Sequence, residues 1–200
     1  STSWQPRCEV VVHATVGTYC RTLGSGSERT SGCSTVRLDK GRVAERRIDL
    51  RSDAEGWLSE SLPHELTHIV LADRFTERRI PAWADEGIAM LAESPDKLQR
   101  RLNELRGVVA AGRTLGLRQL VSLENGPTSE SRAAFYGQSV TLAGLLLERG
   151  TPQQLIQFVE AGQLDGHDIA LRDVYGVESW STLESEWRSF AASQRLRKLP

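Results

Sequence analysis

The hydrophobic pattern of this chain changes character near residue 51. Before that point, short β-branched runs dominate. Cys8-Glu9-Val10-Val11-Val12-His13 predicts a strand, and residues 34–38 and 42–50 predict two more, joined at the hairpin signal Asp39-Lys40-Gly41. Between the first strand and the hairpin, Thr15 is placed to cap a short helix through Tyr19 to Leu23, and Gly24 stops it. Residues 25–32 form a Gly/Ser-rich loop. The expected result is a small, mostly antiparallel sheet.

After residue 51 the helical period takes over. Ser52-Asp53-Ala54-Glu55 has the form of a capping box for a helix leading into residues 58–75. Pro63 either kinks that helix or sits in the first turn of a new one capped by Ser61. Pro81 opens the next helix and Ser94-Pro95 a third, with Leu98, Leu102, Leu105 and Val109 as one apolar stripe ending near Gly112. A long helix is expected over 129–149, with Tyr136, Val140, Ala143 and Leu147 on one face. Thr151-Pro152 begins another; Ser181-Thr182-Leu183-Glu184 reads as a second capping box, and Leu183, Trp187 and Phe190 anchor the last helix. A sheet followed by helices is an α+β arrangement. With no repeat and no clear linker, residues 1–200 read as a single domain, sheet-rich over 1–51 and helical over 52–200.

One segment carries chemistry. In His64-Glu65-Leu66-Thr67-His68 the two histidines are four residues apart, so a helix puts both on one face and offers two imidazole nitrogens to one metal ion. Glu65 is turned about 100° around the axis, where it can act as a base without being a ligand. Leu58, Leu62, Leu66 and Ile69 fall opposite His64, while Leu71, Ala72 and Phe75 accompany it. A helix apolar nearly all round is a buried one. Two histidines and a glutamate inside it need partners, and one metal ion satisfies them together. An ordinary satisfied histidine pair is the plain alternative. A tetrahedral zinc needs a third protein ligand and an open position for water. In Trp83-Ala84-Asp85-Glu86-Gly87, Glu86 can supply that ligand; Asp85 is the other candidate, pointing about 100° away.

These motifs extend into a longer pattern. Leu62-Pro63-His64-Glu65-Leu66-Thr67-His68, followed by Ile80-Pro81-Ala82-Trp83-Ala84-Asp85-Glu86-Gly87-Ile88-Ala89, resembles the gluzincin peptidases, and within them the peptidase MA-like domains of bacteria. Phe135-Tyr136-Gly137-Gln138-Ser139 is similar to that family's Y-x-Q-S segment, and Ala170-Leu171 through Tyr175-Gly176 to Leu183-Glu184 and Trp187 resembles its closing helices. The resemblance implies a zincin-like fold, one Zn2+ per chain held by His64, His68 and Glu86, Glu65 as general base and acid, and Tyr136 as a hydrogen-bond donor to the oxyanion. Two departures stand out. Seventeen residues separate His68 from Glu86, one fewer than in the related gluzincin aminopeptidases. The thermolysin branch carries an Asp four residues after its ligand Glu, where this chain has Met90, which leaves the residue that orients His64 or His68 unidentified.

The expected activity is therefore hydrolysis of peptide bonds, on a peptide or protein substrate. Internal cleavage is preferred over terminal cleavage because no pattern for gripping a free terminus is visible. A non-catalytic or latent zinc- or peptide-binding domain of the same fold is the alternative, and residues 195–200 are a candidate blocking tail. Tyr136 reads equally as a core aromatic on its helix stripe. His167 is a second candidate donor at what looks like an exposed helix start, and His13 reads as structural. The resemblance, with the chain order, implies that the strand from Arg46 to Leu50 is the free edge for an extended substrate.

Composition narrows the rest. Hydrophobic residues at 39% and charged residues at 26% are those of an ordinary globular chain. A net charge of −1, with the arginine pairs scattered, gives no general attraction to nucleic acid or anionic membranes. No apolar run has the length of a membrane span, and a monomer is expected. The chain opens Ser1-Thr2-Ser3-Trp4 without a signal peptide, as a trimmed or mature chain would. Cys8, Cys20 and Cys33 cluster near the start without metal-ligand spacing. One disulfide plus a thiol would suit an exported protein and three thiols a cytosolic one; the clustering leans toward a secreted or periplasmic protein.

Overall fold

The computed structural model describes residues 5–124, 126–193 and 196. The proposed tail at 195–200 therefore lies outside the described residues except for Leu196, whose side chain rests against Gly144. The fold is mixed α+β, a small sheet followed by helices. Two compact units make it up: Ser1–Arg79 with Ala92–Ser94, and Ile80–Leu91 with Pro95–Pro200.

The first unit holds strands β1 (Cys8–His13), β2 (Gly32–Asp39) and β3 (Arg42–Arg51), with helix α1 (Val16–Leu23) after β1. Thr15 caps α1 as expected, its hydroxyl accepting from the Thr18 amide, and Gly24 ends the helix with φ 94°. β2 and β3 form the antiparallel hairpin, turned by Lys40 (φ 50°) and Gly41 (φ 73°), the paired left-handed residues of a tight two-residue turn. The sheet order is β1-β3-β2, and β1 joins β3 in parallel, so the sheet is mixed rather than mostly antiparallel. This also corrects the expected edge. Arg46 to Leu50 lies in the central strand, paired on both sides, and β2 is a free edge among the described residues.

Helix α2 (Leu62–Arg74) lies on this sheet. Ile48, Leu50 and Ile69 are fully buried together, with Leu62, Leu66, Trp57 and Val36 packed around them. The helix is less buried than its composition suggests, since Val70 is 54% exposed and Leu58, ahead of it, 57%. The capping box expected at Ser52–Glu55 does not form. That stretch turns, with the Ser52 amide and hydroxyl both donating to the His13 carbonyl. Asp53 instead accepts from the Val16 amide at the start of α1 and from Arg51. A wide π-helical turn, Trp57–Ser61, then delivers the chain to α2, whose first turn contains Pro63. Ser61 precedes the helix without capping it; its hydroxyl pairs with Ser31 at 2.7 Å.

The second unit is helical: α3 (Ala82–Leu91), α4 (Pro95–Ala110), α5 (Leu117–Val121), α6 (Arg132–Arg149), α7 (Pro152–Leu164), α8 (His167–Tyr175) and α9 (Trp180–Ser193). Its centre is α6, buried on nearly every face from Ala134 to Leu146. In α4 the fourth core position is Val108 rather than Val109, which is 39% exposed. The last helix begins one residue before the expected box, and Ser179 caps it by accepting from the Thr182 amide, while Glu184 accepts from the Leu117 amide. Leu183, Trp187 and Phe190 are buried as expected. No helix among the described residues is long and apolar enough to cross a membrane.

Candidate metal centre

Helix α2 places His64 and His68 one turn apart, and their rings meet edge to face with centroids 4.8 Å apart. The two Nε2 atoms are 3.1 Å from each other. Two ring nitrogens each about 2.05 Å from a tetrahedral ion are about 3.3 Å apart, so this pair already has the spacing of shared coordination. On the far side of the His64 ring, Nδ1 lies 3.0 Å from Oε1 of Glu93, at ion-pair distance though short of a fully aligned hydrogen bond. A histidine whose Nδ1 side faces a carboxylate keeps Nε2 for a metal.

Glu86 is carried by α3. Among the described residues, His64, His68 and Glu86 form a group able to hold a metal ion, all three half-buried, with ligand atoms within 4.8 Å of one another. Two imidazoles and one carboxylate are the donor set of a catalytic zinc site with a position left for water. The chemistry of the residues fits the metal.

Glu65 is buried, at 8% exposure, and its carboxylate lies over the start of β2. A Cβ added to Gly32 would sit 2.8 Å from Glu65 Cγ and 3.0 Å from Oε1, so the edge strand approaches this carboxylate as only glycine allows. Cys33, the next residue on β2, has its thiol pushed up by burial and by the charges of Glu65 and Asp49. The three cysteines are all free thiols.

In the second unit, Gly87 follows Glu86 because α3 presses against α6 there. A Cβ at position 87 would come within 2.5 Å of the Ser139 carbonyl oxygen. The buried Gln138 side chain clasps the loop before α5, donating to the Leu115 carbonyl and accepting from its amide, both at 2.8 Å. Tyr136 is half-buried, its ring edge-on to Phe135 and beneath the Arg101 guanidinium at 5.2 Å. Its hydroxyl is held above the usual phenol range by burial and by the charge of Glu86. His167 is the first residue of α8, at an exposed helix start between Gly166 and Asp168 as expected, but its own side chain is half-buried. Its ring packs against Gly162 and Phe158, and burial lowers its pKa.

A family model described as the peptidase MA superfamily matches residues 45–193. The chain belongs to the peptidase MA superfamily. It is thereby a peptidase-like domain of a superfamily whose members are typically metal-dependent, and it carries a His/His/Glu group suited to a metal. The curated proteins and the solved structures give no match.

Sequence reasoning missed three residues around this centre. Gly32 was readable only as the end of a Gly/Ser-rich loop and Gly87 only as a glycine in its motif, since the close approaches that need them come from distant elements. Glu93 had no signal: nothing near it in the chain marks it as a partner for His64.

Proposed function

We propose that this chain is a zinc-dependent endopeptidase, with His64, His68 and Glu86 as the metal ligands and Glu65 as general base and acid. The observation that supports it is the facing pair of Nε2 atoms, 3.1 Å apart, grouped with a carboxylate in a chain of this superfamily. Bound zinc would supply a water acidified toward a pKa of about 7 and a Lewis acid for the scissile carbonyl. Glu65, buried beside the histidines on α2, would take the proton of the attacking water and return it to the leaving amine. Tyr136 would donate one hydrogen bond to the developing oxyanion; with its pKa raised, its hydroxyl stays protonated at neutral pH. The open edge of β2, which begins under the Glu65 carboxylate, would pair with extended substrate backbone. An edge accepts chain running past the base in both directions, which favours internal bonds. The arrangement needs no second copy of the chain.

Glu65→Gln separates catalysis from binding. Zinc content should be unchanged, while hydrolysis of an unfolded protein such as casein should fall at least ~100-fold. A variant that cleaved like wild type would remove Glu65 from the mechanism, and a wild type that holds zinc without cleaving would favour a latent or binding-only domain.

A further inference from the structure

Segment 92–94, which follows α3, is tied at two consecutive residues to the start of α2. Glu93 is 1% exposed and sets Oε1 3.0 Å from His64 Nδ1. Ser94 donates its hydroxyl to Glu60 Oε1 at 2.5 Å. Glu60 belongs to the π-helical turn ahead of α2, and its side chain folds back over Gly56, where φ is 68° and a Cβ would meet Glu60 Cδ at 2.7 Å. The wide turn thus aims a carboxylate at Ser94, and the bond it makes fixes the backbone beside Glu93. Placing Glu93 in a nearly waterless position is costly unless its charge is paired, and His64 is a partner within reach.

We infer that Glu93 is the positioning residue of the metal centre: its carboxylate holds the His64 ring with Nδ1–H toward it and Nε2 toward His68, and the Glu60–Ser94 bond holds Glu93 in place. The inference rests on the zinc reading proposed above. Glu93 acts on the side of the imidazole opposite the ligand atom, so it orients the ligand rather than adding one. Such carboxylates also raise the basicity of the ring, which is why their loss weakens metal binding.

Zinc affinity, measured on the full chain at neutral pH by competition with a chromophoric chelator, tests this without any turnover assay. Glu93→Ala should bind about 10–100-fold more weakly than wild type. Glu93→Gln keeps an acceptor for Nδ1–H and should fall between the two, and Glu60→Gln should show a smaller loss of the same sign. Co2+-loaded Glu93 variants should show shifted visible absorption, a change that loss of packing alone would not cause if the metal-free melting temperature is unchanged. Tight zinc binding by wild type with equal affinity in Glu93→Ala would overturn the inference and leave the zinc reading standing. If Glu93→Ala does not fold, Glu93→Gln decides: wild-type affinity with an unaltered Co2+ spectrum would overturn it. A wild type that binds no zinc would overturn both.

Discussion

His64 uses both nitrogens of one ring, Nε2 toward His68 and Nδ1 toward Glu93. The first of these relations was legible, because a four-residue spacing needs nothing but a helix. The second was not, because it depends on where the chain returns after α3. The same holds for the polar cluster beneath α1. His13 could be read as structural, but its partner Asp49 could not be named. Asp49 is buried and accepts from His13 Nε2 at 2.6 Å and from Arg47 Nε and Nη2 at 2.7 and 2.8 Å. Burial alone would raise the Asp49 pKa; the bonds and charges of Arg47 and His13 outweigh it and hold the carboxyl below its usual value. Asp49→Asn should therefore destabilise the metal-free protein by about 3 kcal/mol at pH 7, since it removes the buried charge that His13 and Arg47 share and leaves Arg47 only the exposed Glu9. A depressed pKa gives stability that is complete above the unfolded value of about 3.9 and lost as pH falls through the folded one. The gap between wild type and Asp49→Asn in urea denaturation should accordingly shrink below about pH 4; a gap that is absent at pH 7, or constant down to pH 3, would contradict this account.

Among elements, the helices were the more legible part, because the 3.6 period and prolines in first turns act locally. Pro63, Pro81, Pro95 and Pro152 all mark helix starts in the structure. Capping boxes were less reliable where a tertiary partner competed. The Ser52 hydroxyl is taken by the His13 carbonyl and the Glu184 carboxylate by the Leu117 amide, so neither box closes. Sheet order failed for a related reason: β1 pairs in parallel with a strand reached only after α1 and the hairpin, and no local pattern encodes that choice. The α3–α6 contact shows what the Glu-Gly dipeptide of the motif is for. Gly87→Ala would drive a methyl group into the Ser139 carbonyl, a backbone atom that cannot rotate away. It should cost about 1–3 kcal/mol and lower the melting temperature by several degrees. An unchanged melting temperature would mean that α3 can slide on α6 without loss.

For the whole molecule, α+β class and superfamily membership were both readable from motifs and element order, and the family match over residues 45–193 bears them out. The three residues that the structure groups as able to hold a metal ion are also those the sequence pointed to, because helix geometry makes two of them neighbours and the resemblance supplies the third. What stayed out of reach are the features set by long-range packing: the free edge at β2, the glycine approaches and the carboxylate behind His64. The central claim is that these three side chains bind one zinc ion. Zinc per chain, by elemental analysis of wild type beside Glu86→Ala after equal dialysis, tests it most directly. About one zinc in wild type and a strong loss in Glu86→Ala is the expected result, as when one of three protein ligands is removed. A wild type that stays metal-free in added zinc, or a Glu86→Ala variant that retains a full equivalent, would contradict it.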